Sequence, residues 1–210
     1  MIGFERVTID AFEAAIEASP SSAAFKRQKA RFSLGLDDPC LAHRGPLTVA
    51  GNFRAPGYCT LVVGDLSVDG LIDLTSPEGF DGNGVFIALG NVTCRAFNND
   101  WGKVTLIDGN LQASELVINC YDDSTLVVTG DLKTRFFYGR GIWAEVGGVA
   151  EMEYGAGYCL PIGYRNAAQQ AIRPRHDAET SMALLTVAES GALMEYELVD
   201  KLKRGQPVFK

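Results

Sequence analysis

The stretch "LVVTGDLKTRF" (residues 126–136) contains the motif that decides the fold, a short apolar run followed by Gly-Asp-Leu and an alternating segment. Similar trios recur along the chain, and they are Gly51-Asn52-Phe53, Gly64-Asp65-Leu66, Gly90-Asn91-Val92, Gly109-Asn110-Leu111, Gly130-Asp131-Leu132 and a degenerate Gly147-Gly148-Val149. The steps between successive glycines are 13, 26, 19, 21 and 17 residues. A repeat of this length is typical of a solenoid, whose units stack because none can close a core alone.

Each unit has the pattern of a strand, a glycine-centred bend, a second strand and a variable loop. Segments such as "LSVDGLIDL" (66–74) alternate between apolar and polar residues, as a strand with one buried face requires. We interpret the glycine as the residue that adopts positive φ, and the Asn or Asp as one that tolerates the bend. The aliphatic residue that follows then points inward.

The pattern predicts an all-β fold, a single-stranded parallel β-helix of about six coils. The irregular steps do not fit a strict six-residue repeat and favour a right-handed coil. An antiparallel meander or barrel is the alternative. Its hairpins favour Asn-Gly or Asp-Gly, however, and the order here is mostly reversed.

Helical caps are predicted at both termini. The predicted domains are a helical cap (1–36), the β-helix (37–165), and a linker with a C-terminal helical segment (166–210). Thr8 can cap a first helix, and a second is expected over residues 22–32. The first helix would bury one apolar face, formed by Ile9, Phe12 and Ile16. Near the other terminus, Leu198 and Leu202 share a predicted helical face and Gly205 ends that helix.

Composition limits the classes of function. The 210 residues carry a net charge of −7, and residues 37–165 hold 16 acidic against 8 basic side chains. Such a region should repel nucleic acid and attract basic partners. The chain has no apolar run near the roughly 20 residues that span a bilayer and no signal-peptide pattern. We therefore predict a cytoplasmic protein that binds neither nucleic acid nor membrane.

The sequence shows little sign of catalytic, metal or cofactor chemistry. Its five cysteines are dispersed and form no C-x-x-C motif, so buried free thiols are expected and no metal or cofactor is predicted. His43 is a weak candidate for the base of an acyltransferase. Asp122 and Asp123 could serve a carbohydrate-active β-helix, but they lie where turn residues are ordinary. The prediction is that the chain is not an enzyme, with these two activities as alternatives.

Departures from the repeat are the candidate partner-binding positions. The excursion "TSPEGFDGNG" (75–84) interrupts the regular spacing, two later loops are acidic, and "RFFYGRGIW" (135–143) is rich in aromatic residues. Loops that leave a rigid scaffold often carry function, and aromatic residues are enriched at binding hot spots. The predicted partner-binding residues are Glu78, Phe80, Asp81, Asp100, Asp122, Asp123, Tyr138 and Trp143.

The units "LVVxGDL" and "GNLxA", with the closing "LVDKLKRGQPVF", resemble bacterial polymer-forming, bactofilin-like repeat proteins. That resemblance implies self-assembly end to end, whereas other small acidic proteins of this type are similar to toxin-immunity proteins. The irregular coils and predicted caps depart from the filament pattern. We therefore predict a protein that binds and neutralises a basic bacterial toxin, for example a nuclease. A self-assembling scaffold is the alternative, and homo-oligomerisation stays open.

Overall fold

The computed structural model shows a β-solenoid with one short helix towards each end of the chain. It describes residues 3–19, 40–75, 84–99, 103–120, 124–140, 143–157, 162–163, 170–172, 184–186 and 195–210. The helix predicted over residues 22–32 lies outside these ranges.

Two sheets form the walls of the solenoid. In the described residues, sheet A has eight strands, in the order β1 (Glu5–Val7), β2 (Cys40–Arg44), β5 (Cys59–Val63), β8 (Val85–Ala88), β10 (Val104–Ile107), β12 (Thr125–Val128), β14 (Trp143–Val146) and β16 (Ile162–Gly163). Sheet B contains β3 (Leu47–Val49), β4 (Phe53–Arg54), β6 (Leu66–Val68), β7 (Leu71–Asp73), β9 (Val92–Asn99), β11 (Leu111–Cys120), β13 (Leu132–Arg140), β15 (Ala150–Gly157) and β17 (Gln170–Ile172).

The chain alternates between the two sheets, and neighbouring strands within each sheet are parallel except for β1, which is antiparallel to β2. The predicted parallel β-helix is therefore confirmed, with about five coils where the sequence predicted about six. The handedness of the coil stays a prediction.

Sheet B consists of two segments with a change of direction between them. The front segment comprises residues 47–49, 66–68, 92–94, 111–113, 132–134 and 150–152, and the rear segment comprises 53–54, 71–73, 96–99, 116–120, 136–140 and 154–157. The short strands β6 and β7 pair with the two ends of the single long strand β9. Each coil thus has three sides, formed by sheet A and the two segments of sheet B.

The interior is filled by columns of apolar side chains, one from each side of every coil. The inward column of the front segment contains Leu66, Val92, Leu111, Leu132 and Ala150, all 0% exposed. Because equivalent residues stack at the spacing of neighbouring strands, each coil closes the core of the next.

Close packing of the coils, rather than positive φ, requires glycine at most of the described bends. A Cβ at Gly109 would lie 2.6 Å from the Gly90 carbonyl oxygen, a distance that real Cβ atoms do not reach. Gly64 has a φ of 137°, but Gly90, Gly109 and Gly130 are not among the described glycines with positive φ. The predicted role in positive φ is therefore wrong for these three residues, where the backbone of the preceding coil excludes a side chain.

The bend glycine of the first coil is Gly45, not Gly51 as the repeat suggested. Strand β3, which follows Gly45, pairs with β6, which follows Gly64, so these two glycines are equivalent. Gly51 lies at the next corner, between β3 and β4. In a later coil the equivalent residue is Gly148 rather than Gly147, because the Gly148 N–H donates to the carbonyl of the preceding bend glycine. Both corners of a coil can pair Gly with Asn or Asp, so the sequence alone does not distinguish them.

Helix α1 (Ile9–Glu17) covers the outer face of sheet A. The Thr8 hydroxyl accepts a hydrogen bond from the Ala11 N–H at 3.2 Å, which confirms the predicted N-cap. Phe12 and Ile16 are fully buried against the outward apolar residues of sheet A. These are Cys40, Ala42, Cys59, Leu61, Val85, Ile87, Val104, Leu106 and Val127. Beyond the helix, the Ser19 hydroxyl donates to the carboxylate of Asp108, which directly follows β10.

The dimensions of α1 match the strands that it crosses. Its nine residues rise about 13.5 Å at 1.5 Å per residue. The four adjacent strands β2, β5, β8 and β10 span about 14 Å at 4.7–4.9 Å per step. The helix therefore runs along the solenoid axis, from the first coil to Asp108.

Helix α2 (Glu195–Lys203) covers the outer face of the rear segment. Leu198 and Leu202 are fully buried, and Gly205, with a φ of 69°, follows the helix end as predicted. They pack in one apolar group with Leu71, Ala96, Leu116, Ile118, Phe136, Tyr138, Leu185 and Val208. The helices expected near both termini are thus present, and each packs along the flank of the solenoid.

Candidate functional site

One side of the solenoid is left open by the helices. Helix α1 covers sheet A and helix α2 covers the rear segment, whereas no described residue covers the outer side of the front segment. Its central row of outward residues is exposed from β3 to β15, and it reads Thr48, Ser67, Thr93, Gln112, Lys133 and Glu151. We call this central row and the two rows that flank it the front face.

The first flanking row is a ladder of Asn and Asp residues at the bends between sheet A and the front segment. The Asp65 Oδ1 atom accepts a hydrogen bond from the Asn91 N–H at 2.7 Å, and Asn91 Oδ1 accepts from the Asn110 N–H at 3.1 Å. The ladder continues to Asp131 at 2.8 Å and ends at the Val149 N–H, also at 2.8 Å. Each side chain therefore fixes the backbone of the next coil and holds the row rigid.

The second flanking row lies at the corner between the two segments of sheet B, and it contains Asp69, Arg95, Glu115, Arg135 and Glu153. Its basic residues pair with acidic residues of the following coil. Arg95 Nε lies 3.7 Å from Glu115 Oε2, and Arg135 Nε lies 3.5 Å from Glu153 Oε2. In the central row, Lys133 Nζ lies 3.1 Å from Glu151 Oε1.

The front face as a whole is acidic. It carries six carboxylates, Asp65, Asp69, Glu115, Asp131, Glu151 and Glu153, against three basic side chains. Because each basic side chain forms an ion pair within the face, the net charge of −3 is concentrated at three aspartates, Asp65, Asp69 and Asp131.

A buried polar cluster lies in the rear segment of sheet B, beneath the C-terminal end of α2. Asp73, 5% exposed, accepts hydrogen bonds at Oδ1 from the Thr75 hydroxyl at 2.5 Å and from Asn98 Nδ2 at 3.0 Å. Its Oδ2 atom lies 3.2 Å from Lys203 Nζ. Burial raises the pKa of Asp73, but the hydrogen bonds from Thr75 and Asn98 and the Lys203 ammonium outweigh it and leave the pKa below its ordinary value.

Side chains of sheet B also hold the end of α2. Asn52 Nδ2 donates to the Lys203 carbonyl at 2.9 Å, and an Arg95 guanidinium nitrogen donates to the Leu202 carbonyl at 3.2 Å. The last carbonyls of a helix lack partners within it, so these bonds satisfy two of them. The Asp73 cluster is therefore accounted for as the anchor of α2.

Lys103 is the other buried ionisable group of interest. It is 1% exposed, and its Nζ atom would lie 2.6 Å from a Cβ built on Gly84. Burial lowers the pKa of Lys103 to about 8, although Cys59 and Asp73 oppose this shift. A lysine with such a pKa is a candidate functional group as well as a structural one. We assign it no function.

Most of the predicted partner-binding residues lie outside the described ranges, namely Glu78, Phe80, Asp81, Asp100, Asp122 and Asp123. Tyr138 is described. It is 8% exposed and packs in the apolar group beneath α2. Trp143 begins β14, but its side chain is outside the described set. That these side chains lie together and bind a partner therefore stays a prediction.

Sequence reasoning missed the front face, although a signal for it was present. The runs "VFIAL" and "VTLID" are apolar at consecutive positions, which indicates strands buried on both faces. The front segment instead alternates strictly, as in "LTV" and "LSV" (47–49 and 66–68), which indicates one exposed face. Comparing these two patterns would have separated the covered sides from the open one.

The structure also describes His43 and three of the cysteines. His43 Nδ1 lies 2.7 Å from the Gly3 carbonyl oxygen, and its ring packs against Phe4. Cys40, Cys59 and Cys94 are buried free thiols, as predicted, and burial raises the pKa of Cys94 far above its ordinary value. Within the described ranges, no three His, Cys, Asp or Glu side chains are grouped to hold a metal ion. None of the helices described here has the length and apolar character to span a membrane.

Comparison with known proteins gives no family. No protein-family model, no curated protein and no solved structure matches this chain. The resemblance to bactofilin-like proteins therefore rests on the repeat units and the closing segment alone.

Proposed function

We propose that this chain is a protein-binding solenoid that uses its front face to bind a basic protein. In its most specific form, the partner is a bacterial toxin that the bound solenoid neutralises, as the resemblance of the repeats to immunity proteins suggests. The toxin would be inhibited because the bound solenoid occludes its active surface.

The observation that supports the proposal is the distribution of charge on the one side that no described residue covers. Each basic side chain of the front face is already paired within it, and Asp65, Asp69 and Asp131 remain exposed. An acidic surface of this kind accelerates encounter with a basic partner and excludes acidic ones.

Rigidity also supports a binding role. The ladder holds Asp65 and Asp131 through hydrogen bonds to the next coil, at 2.7 and 2.8 Å. Carboxylates held in place lose little conformational freedom when a partner binds, which improves affinity. The overall charge of −7 adds longer-range attraction for a basic partner.

The scaffold alternative has less support. In end-to-end assembly, a parallel strand of another copy would have to pair with β2, the first parallel strand of sheet A. That edge of β2 is already paired with β1. A filament would therefore have to use the edge of sheet B alone at this end.

The test is co-expression with the product of the neighbouring gene, followed by co-purification and a viability assay. We expect a stable complex that weakens as salt is added, because exposed charges are screened. The triple variant Asp65→Asn, Asp69→Asn, Asp131→Asn should slow association. Asn keeps the ladder bonds of residues 65 and 131, as Asn91 and Asn110 show at equivalent positions.

A matched control removes the same charge elsewhere. Asp10, Glu17 and Glu197 are exposed on the two helices, and their change to Asn, Gln and Gln should leave association nearly unchanged. If both triple variants slowed association equally, only net charge would matter and the front face would not be the docking surface. Failure to form any complex or relieve toxicity would count against the toxin-neutralising form.

A further inference from the structure

The two sheets end differently at the first coil. Sheet A ends in β1, which lies antiparallel to β2 with Val7 opposite Cys40. Sheet B ends in β3, and within the described residues β3 has a strand partner only on its β6 side. One side of β3 therefore presents an edge to which another strand could add.

A cavity of about 480 Å³ lies beside that edge. Its lining is mainly apolar and includes Phe4, Leu47, Val49 and Phe53. The polar residues of the lining are Thr48, Asn52 and Arg54. Leu47 and Val49 are the first members of the inward columns of the front segment, and both are partly exposed. Their neighbours in the second coil, Leu66 and Val68, are 0% and 3% exposed. The cavity occupies the place where a preceding coil would put its own inward side chains.

We propose that this cleft binds an extended segment of a protein partner. The segment adds as a strand to β3 and places aliphatic side chains at positions i and i+2 in the cavity. Strand addition of this kind takes affinity from backbone hydrogen bonds and specificity from pockets for alternate side chains. The site adjoins the front face at Thr48, but it does not depend on the charge of the partner.

The chain itself indicates what this end accepts. On sheet A the place of the added strand is taken by Glu5–Val7, and the preceding Phe4 packs its ring against Phe53, with the centroids 6.1 Å apart. At this end of the solenoid, the edge of sheet A is therefore already occupied by an extended segment, and an apolar side chain next to that segment packs on the core. The inward column above Leu47 is aliphatic from Leu66 to Ala150, which predicts an aliphatic residue in the segment too.

The length of the edge favours a peptide segment over a second copy of the chain. Strand β3 has three residues and β4 has two. Two copies meeting end to end would bring their β1 strands together, so only these short edges would remain for pairing. A flexible peptide can pair with a short edge and place side chains in the cavity without bringing a second β1 strand to this end.

The experiment uses the whole chain and a synthetic peptide that copies residues 64–70, "GDLSVDG", the segment that pairs with β3 on its other side. We expect saturable shifts of the Leu47 and Val49 methyl resonances in an NMR titration. Val49→Arg, which fills the cavity, should weaken binding at least about tenfold. The control Ser67→Arg, at the equivalent exposed position of the second coil and outside the cavity lining, should change it less than about twofold.

Two further measurements keep the test decisive if Val49→Arg does not fold. Ala50→Arg places its side chain at the exposed rim of the cavity and should also weaken binding. A peptide methylated on alternate backbone nitrogens should not bind to the unmodified chain, because it cannot form the strand hydrogen bonds. The proposal is overturned if the peptide causes no saturable shifts, or if the methylated peptide binds equally well. It is also overturned if the chain forms dimers that Val49→Arg dissociates, since a second copy would then be the occupant.

Discussion

The side chain of Asn110 accepts a hydrogen bond at Oδ1 from the backbone N–H of Asp131, at 2.8 Å, and Asp131 holds the equivalent position one coil later. The polar residue of the repeat thus acts on the coil that follows rather than on its own bend. A motif that has the appearance of local turn chemistry is therefore a device that joins neighbouring coils.

Removing one rung of this ladder should destabilise the solenoid. Asn110→Ala leaves the Asp131 N–H without its partner, and we expect a loss of about 1 kcal/mol in the free energy of unfolding. Asn110→Asp retains an accepting oxygen, as Asp65 and Asp131 do in the same row, and should cost less. Urea denaturation of the two variants measures the difference. Equal losses would show that the ladder bond contributes nothing.

Two glycine substitutions separate close packing from backbone conformation. Gly109→Ala would place a Cβ 2.6 Å from the Gly90 carbonyl oxygen, and we expect a loss of about 3 kcal/mol or more as the coils separate. Gly51→Ala meets no atom within 4 Å but has a φ of 84°, which costs about 1–2 kcal/mol for an L-residue. Thermal and urea unfolding should rank Gly109→Ala as the more damaging. If Gly51→Ala caused the larger loss of stability, positive φ would be the main reason for glycine at these positions.

The buried Lys103 makes stability depend on alkaline pH. Its pKa in the folded chain is about 8, against an ordinary value of 10.5. Between these values the unfolded chain binds the proton that folded Lys103 has lost, so the contribution of Lys103 to stability rises with pH, by roughly 3 kcal/mol in total. The raised pKa of Cys94 acts in the opposite direction over the same range. Below about pH 8 the cost of the buried ammonium is present in full. The check is the free energy of unfolding measured between these two pH values.

Lys103→Met provides the comparison for that measurement. It keeps a long apolar side chain without the charge, so its stability should exceed that of the parent at neutral pH and should lack the alkaline rise. The difference in stability between the parent and Lys103→Met isolates Lys103, and a difference that does not change over this range would contradict the lowered pKa of Lys103. A rise that persists in Lys103→Met would have to come from another group.

Asp73 should have the opposite dependence, at acid pH. Because its folded pKa lies below the ordinary 3.8, its contribution is complete above that value and is lost as the pH falls through the folded pKa. Asp73→Asn should lower stability by about 1–3 kcal/mol at neutral pH, since it removes a buried, hydrogen-bonded charge. The difference from the parent should shrink in acid.

Hydrogen exchange locates the effect of that change. We expect Asp73→Asn to increase exchange in α2, because Lys203 loses its ion-pair partner at 3.2 Å. Asp200→Asn is the control on the same helix, where the exposed pair with Arg204 at 4.0 Å should contribute less than about 0.5 kcal/mol. Faster exchange in both variants would point to a general loosening of α2 rather than to release of its anchor.

The sequence was sufficient for the solenoid and for the helices, because those depend on periodicity and local chemistry. The repeat specified strands and bends, and Thr8, Phe12, Leu198 and Leu202 have the predicted roles. What it could not reveal was contact between coils. The approach of the Gly109 backbone to the preceding coil has no local signature in the sequence.

The same limit applies to the candidate site. Exposure of the front face depends on where α1 and α2 pack, and apolar stripes on the helices do not say which side of a solenoid they cover. The corner where Gly51 lies was mistaken for a bend because both corners use similar residues. The acidic loop residues predicted for partner binding stay predictions.

The match between α1 and the four strands beneath it restricts how this architecture could lengthen in evolution. A solenoid grows by duplication of a coil, and a coil added between β2 and β10 would move Asp108 about 4.8 Å beyond the reach of Ser19. It would also lengthen the apolar outer surface past the end of the helix. A coil added after β10 disturbs neither contact. Since α2 packs in the same way across Leu71, Leu116 and Phe136, gain and loss of repeats should be concentrated after β13. Strands β2, β5, β8 and β10 should remain constant in number.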